Sequence, residues 1–73
     1  MGIRPERAGS TPYEVLVRGE LSADLVGELG ARSFEPSRGK TMIFIDVIDQ
    51  SHLYGVLGWL EDHNIEIERF NPV

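Results

Sequence analysis

The 73-residue sequence predicts one α+β domain whose elements follow the order β-α-β-β-α-β. Three patterns support this prediction. Two segments alternate apolar and polar residues as half-buried strands do, one segment is apolar on both faces, and two segments repeat apolar residues at the spacing of an amphipathic helix. We expect residues 13–73 to form the domain. Residues 1–12 contain two of the four prolines and no apolar periodicity, so they are expected to form a disordered tail.

Consecutive patterns predict the first strand and the first helix. The strand is YEVLVRGE, in which the apolar residues Tyr13, Val15 and Val17 share one face. The helix is LSADLVGELG, for which Ser22 is a favourable N-cap. Gly30 can end this helix in the left-handed conformation that glycine adopts without strain.

A β-hairpin is predicted next. ARSFEP is a short strand that ends at Pro36, and the turn SRGK offers Gly39 for a positive φ. TMIFIDVI is the strongest strand signal in the chain because it is rich in β-branched and aromatic residues. The two strands and their short turn together indicate the hairpin.

The second helix begins at Asp49 or Ser51, either of which can cap it. Asn64 can take the left-handed stop, and IEIERF is the last strand, with Ile65 and Ile67 facing inward. Two β-α-β units joined by a hairpin fold most simply as the ferredoxin-like arrangement, a four-stranded antiparallel sheet with both helices on one face. The apolar stripe that packs the second helix on this sheet is predicted to be Leu53, Val56, Leu57 and Leu60.

The composition narrows the classes of function. A net charge of −5 argues against nucleic acid or an anionic membrane as the partner. The chain has no cysteine, so it has neither disulfides nor thiolate zinc sites, and we expect no metal and no cofactor. No segment approaches the roughly 20 apolar residues of a membrane span, and a cytoplasmic location is expected. A domain this small is marginally stable alone, which favours association of chains.

The strand TMIFIDVI is apolar on both faces, although only one face can contact the helices. If no bulge intervenes, five apolar residues share the helix-free face. An exposed patch of this size is unusual for a monomer, so we expect a homodimer in which two sheets pack face to face. The predicted interface residues are Leu16, Met42, Phe44, Ile48 and Phe70.

The segment HLYGVLGWLEDHN contains both histidines of the chain. His52 and His63 are separated by about 16 Å along a helix, so one chain cannot hold one metal ion with both. No nucleophile stands at a helical spacing from His63, and no catalytic residue is predicted. Trp59 flanks the apolar stripe and is expected at the edge of the core, while the alternative is that Gly55 and Trp59 form a contact patch for a protein partner.

Two motifs carry a resemblance that covers nearly all of residues 13–73. The chain has a Y-E-x-x-V-x-G start and a D-Q-x-x-L-x-G-x-L block followed by a short Ile-rich strand. It thereby resembles a group of small uncharacterised bacterial proteins, and this resemblance implies no established activity. The matching residues are Tyr13, Glu14, Val17, Gly19, Asp49, Gln50, Leu53, Gly55, Leu57 and Ile65.

The third strand, second helix and fourth strand are also distantly similar to the first half of an ACT regulatory domain, in which an Asp opens the helix and an N-I-x-I strand follows it. This resemblance implies small-ligand binding at the corner between the third strand and the second helix. His52 occupies the position where those domains usually have a glycine. The implied ligand-binding residues are Asp49, Gln50, Ser51 and His52.

The sequence is therefore compatible with three classes of function. We favour a non-catalytic, self-associating interaction module, since it needs only the apolar sheet face. The first alternative is the ACT-like regulatory domain. The second is a small dimeric enzyme of the ferredoxin-like type, for which the candidate residues are Asp46, His52 and Tyr54, although periodicity does not bring them together. The fold alone does not decide among these classes.

Overall fold

The structure, a computed structural model, describes residues 10–73 and has the predicted ferredoxin-like α+β fold. Strand β1 begins two residues earlier than expected, so Thr11 and Pro12 belong to the sheet and not to the predicted tail. Of the rest of the predicted tail, Ser10 precedes the strand without regular secondary structure and residues 1–9 lie outside the described residues. The elements are β1 (Thr11–Arg18), α1 (Ala23–Leu29), β2 (Ser33–Ser37), β3 (Lys40–Val47), α2 (Gln50–Asp62) and β4 (Ile67–Pro72).

The four strands form one sheet in the order β2-β3-β1-β4, and every neighbouring pair is antiparallel. Both helices pack on the same face of this sheet, because their buried residues belong to one apolar cluster with those of the two central strands. The other face is not covered by any helix of residues 10–73 and is called the open face below. The cluster consists of Val15, Val17, Val26, Leu29, Ile43, Ile45, Val47, Val56 and Leu60.

Local signals in the sequence set the ends of the helices. The Ser22 side chain accepts a hydrogen bond from the Leu25 N–H at 3.2 Å, and Gly30 ends α1 with φ 81°. Asp49 caps α2, because its Oδ1 accepts a hydrogen bond from the His52 N–H at 2.8 Å. These caps satisfy backbone donors that a helix start leaves without partners. Asn64 adopts the predicted left-handed conformation after α2, with φ 56°.

The hairpin turn also follows the prediction. Ser37 and Lys40 are paired, so the turn has two residues, Arg38 and Gly39, with φ 52° and 79°. Positive φ at both positions matches the twist of the adjoining strands. At the same end of the sheet, the fully buried Thr41 hydroxyl donates to the Gly19 carbonyl and accepts from the Leu21 N–H, which ties the β1–α1 loop to β3.

Helix α2 is rotated about its axis relative to the orientation that the predicted apolar stripe implies. Val56 and Leu60 are buried, as predicted, and Leu53 packs against the core. Leu57 is half-buried and does not belong to the described core, whereas Trp59 packs against it. The assignment of Leu57 to the core is therefore wrong. Residues two positions apart on a helix point about 160° away from each other, so the indole and the leucine lie on opposite borders of the helix–sheet contact.

Strand β4 contains an irregularity that changes the face of its aromatic residue. Val17 pairs with Ile67 and Val15 with Phe70, so three steps along β4 match two along β1. This extra residue is a β-bulge. Because directly opposed residues point to the same face, Phe70 faces the helices with Val15, and its ring centroid lies 5.1 Å from that of Tyr13. The prediction that Phe70 lies on the open face is wrong.

Candidate functional site

The open face carries a small apolar patch at its centre. It consists of Leu16 on β1 and of Met42 and Phe44 on β3, all half-buried within the chain, and Leu16 lies directly opposite Met42. Ile48 is 63% exposed but lies beyond the end of β3 at Val47, so it is not part of the sheet face. Three of the five residues predicted to share this face therefore do so.

A single row of side chains crosses the middle of the open face. The strand pairings place Glu35 of β2 opposite Met42, Met42 opposite Leu16, and Leu16 opposite Arg69 of β4. The row thus has an acid at one edge, two apolar residues in the centre and a base at the other edge. Both Glu35 and Arg69 are exposed, and neither forms an ion pair with any other residue in the range 10–73.

Three charged residues form a compact cluster at the hairpin end of the open face. Glu68 binds the Arg18 guanidinium through Oε2 at 3.0 Å and the Lys40 ammonium through Oε1 at 2.8 Å. The hydrogen bond from Lys40, and then that from Arg18, lowers the pKa of the Glu68 carboxyl below its ordinary value of 4.5. Glu66 Oε1 lies 3.7 Å from the Arg18 Nε, so both bases of this end have an acidic partner within the chain.

Replacing Glu68 by glutamine is expected to flatten the acid limb of the stability profile. A carboxylate with a lowered folded-state pKa stabilises the fold above the unfolded-state pKa, and this stabilisation is lost as pH falls through the folded-state value. The wild type should therefore lose stability below pH 4.5, and Glu68→Gln should lose less. Urea midpoints measured at neutral and acid pH test this, with the helix variant Glu61→Gln as control. Equal acid sensitivity of Glu68→Gln and the wild type would contradict the assignment.

A pocket of about 300 Å³ lies at the other end of the open face. Its charged residues are Arg32 and Asp46, whose side chains form an ion pair at 3.0 Å. Pro12, Phe44 and Val73 supply apolar walls. The volume is at the lower limit for small-molecule sites, and the two charged groups already neutralise each other. The pocket therefore offers no unpaired charge to orient a ligand.

The corner implied by the ACT resemblance holds a smaller pocket, of about 160 Å³. Asp49 and Gln50 line it, whereas Ser51 and His52 do not. Asp49 caps α2, and the His52 Nδ1 accepts a hydrogen bond from the Ile48 N–H at 3.1 Å. Two of the four implied ligand residues are thus engaged in starting the helix, and the space is below the range typical of ligand sites.

The three candidate catalytic residues lie apart. Asp46 points to the open face beside Arg32, whereas His52 lines a groove in the helix layer and Tyr54 is 63% exposed on α2. A reacting group needs its partners within hydrogen-bond reach, and these residues do not meet that condition. Within residues 10–73, no group of three or more His, Cys, Asp or Glu side chains is arranged to hold a metal ion.

Trp59 lies at the border of the core and stacks on His63. The ring centroids are 4.0 Å apart at an interplanar angle of 26°, and the His63 Nδ1 donates to the Trp59 carbonyl at 2.8 Å. Trp59 also lines a groove of about 130 Å³ between the helices, with Leu29 and Gly55. A Cβ at Gly55 would meet nothing within 4 Å, so the groove is open on that side.

Replacing Trp59 by alanine is expected to destabilise the fold without creating a separate binding defect. The indole packs against the core, so its loss should cost about 2 to 3 kcal/mol, less than the 3 to 5 of a fully buried aromatic residue. This corresponds to a fall in Tm of more than about 10 °C. His63→Ala, which removes the stack and the hydrogen bond to the Trp59 carbonyl but leaves the indole in place, is the control and should lower Tm less. A Trp59→Ala variant of wild-type stability would place a binding surface on α2 instead.

Sequence reasoning missed both charged ends of the central row. Had the predicted turn SRGK been given a two-residue loop, the register would have placed Glu35 opposite Met42, because hairpin length determines register. The position of Arg69 could not be predicted in this way, since it depends on the bulge in β4. The Glu68 cluster likewise joins residues 50 positions apart in the chain, and no local pattern indicates it.

These features define a small α+β domain with an apolar patch on an open sheet face. Residues 12–71 match the family described as a domain of unknown function, DUF8691, and the chain belongs to this family. The chain matches no curated protein and no solved structure. None of the helices in the described part of the chain has the length and apolarity to cross a membrane.

Proposed function

We propose that this protein is a non-catalytic interaction module that associates with a second copy of itself through the open face. The observation that carries the proposal is the position of Leu16, Met42 and Phe44 at the centre of the helix-free face, on the two central strands. Strands with apolar residues on both faces are normally covered on both. Association would cover the second face.

The small size of the core supports the same proposal. Among residues 10–73, nine buried apolar residues form the core, and a chain of this length buries too little surface to be more than marginally stable alone. Burial of a second apolar surface between chains stabilises the folded state in proportion to the area removed from water. A dimer therefore supplies stabilisation that neither disulfides nor metal provide in residues 10–73.

The geometry supports the two alternative functions less well. The ACT-like corner uses Asp49 and His52 to begin α2, and its pocket is small. The candidate catalytic residues Asp46, His52 and Tyr54 are distributed over both layers of the fold. The open face is the surface whose chemistry calls for a macromolecular partner.

Sedimentation velocity of the wild-type chain over low to high micromolar concentration tests the proposal. We expect a reversible shift from the mass of one chain, 8.2 kDa, to twice that mass as concentration rises. A single species of 8.2 kDa at every concentration would contradict self-association.

A further inference from the structure

We infer that the two-fold axis of this dimer runs parallel to the strands along the line between β1 and β3, so that Glu35 of each protomer pairs with the partner's Arg69. The inference rests on the proposed function, since it describes how the two open faces meet. It starts from the row Glu35–Met42–Leu16–Arg69, which crosses all four strands. The two charged ends of this row have no ion-pair partner within residues 10–73.

The row is symmetric about the line between the central strands. Neighbouring strands are about 4.8 Å apart, so β2 and β4 each lie about 7 Å from that line, on opposite sides. A two-fold rotation about an axis parallel to this line places Glu35 over the partner's Arg69 and Met42 over the partner's Leu16. Packed sheets are about 10 Å apart, a gap that two long side chains pointing towards each other can span. Both ion pairs then form at once.

The charges at the two edges of the central row distinguish this axis from the other two-fold arrangement. An axis perpendicular to the strands, along the row itself, would place Glu35 over the partner's Glu35 and Arg69 over the partner's Arg69. Like charges brought together at an interface disfavour that arrangement. Only the axis parallel to the strands brings unlike charges together at both edges.

The area of the face requires the contact to be centred. The central strands have eight residues each, so the sheet measures about 26 Å along the strands and about 19 Å across four strands. This is about 500 Å² of flat area, whereas a standard interface buries about 800 Å² of accessible surface per partner. An off-centre contact would leave much of this limited area unused. The whole face is needed, which keeps the axis near its midline.

The flanking rows are compatible with this axis. Lys40 would lie over the partner's Arg18, but each of these bases is bound to Glu68 of its own chain. Phe44 would lie over the partner's Glu14, whose side chain is half-buried on the same face. Aligned sheets cross at about 30°, so rows far from the centre diverge and the central row determines the fit.

Charge reversal in two variants tests the axis directly. E35R and R69E each convert both interprotomer ion pairs of a homodimer into like-charge contacts, so the dissociation constant of each should rise about tenfold or more. An equimolar mixture of the two restores both ion pairs, because one protomer then has arginine at both positions and the other glutamate. The mixture should form a heterodimer with an affinity near that of the wild type. The double variant E35R/R69E should also dimerise.

Sedimentation equilibrium measures these affinities, and circular dichroism establishes that each variant is folded. E61R, the same charge change on α2, is the matched control and should leave the dissociation constant unchanged. If the wild type dimerises but E35R and R69E behave as E61R does, the axis is wrong and the interaction module stands. If E35R binds the wild type more tightly than either binds itself, the axis is perpendicular to the strands. A wild type that remains monomeric overturns both proposals.

Discussion

Phe44→Asp is expected to convert the dimer into folded monomers. Phe44 lies on the open face, where its partly exposed ring can be replaced by a solvated carboxylate in the isolated chain. In the dimer the same carboxylate would be buried beside the partner's Glu14 and without a cation, which costs several kcal/mol. Sedimentation should therefore show one chain at concentrations where the wild type is dimeric, with circular dichroism unchanged.

Two further substitutions at this position separate apolar burial from charge repulsion. Glu14 and Asp46 lie near Phe44 on the same face, so an aspartate there adds to existing negative charge. Phe44→Asn removes the apolar ring without adding charge and should weaken the dimer as well, whereas Phe44→Leu should retain it. A folded Phe44→Asp variant that sediments as the wild type does would place the interface on another surface.

Leu60→Ala is expected to have the largest effect on stability. Leu60 is 0% exposed and packs in the cluster that joins α2 to the sheet. Truncating a buried leucine to alanine costs about 2 to 5 kcal/mol, because apolar surface is lost and a cavity remains. That is a large part of the total stability of a small domain, so much of the variant should be unfolded at 37 °C. Thermal denaturation at fixed protein concentration measures the change.

The matched control is Leu57→Ala, one turn away on the same helix. Leu57 is half-buried and lies outside the described core, so its truncation should cost only about 1 kcal/mol. The difference between the two variants tests how α2 is turned on the sheet. Equal losses of stability would show that the helix presents the predicted stripe and not the observed one.

Local sequence patterns were enough to predict the helices and strands, their order and most of their ends. Each of these depends on interactions between residues a few positions apart: the Ser22 and Asp49 side chains bond to backbone groups of the next turn, and Gly30, Gly39 and Asn64 accept the positive φ that their turns require. Such contacts form wherever the local segment folds. The ferredoxin-like arrangement then follows, because two β-α-β units and a hairpin have few other ways to pack.

Which side chains share the open face depends on strand pairing between residues far apart in the sequence, and the structure was needed to show it. The bulge in β4 moves Phe70 to the helices and sets Arg69 opposite Leu16, and it exists only in the pairing of β4 with a strand some 50 residues away. Likewise, the contact of α2 with the sheet leaves Leu57 outside the described core, whereas Trp59 packs at its edge as the stripe predicted. The alternation of apolar and polar residues assigns side chains to the correct face of the sheet only where strand register is regular. One inserted residue moves every later side chain to the opposite face.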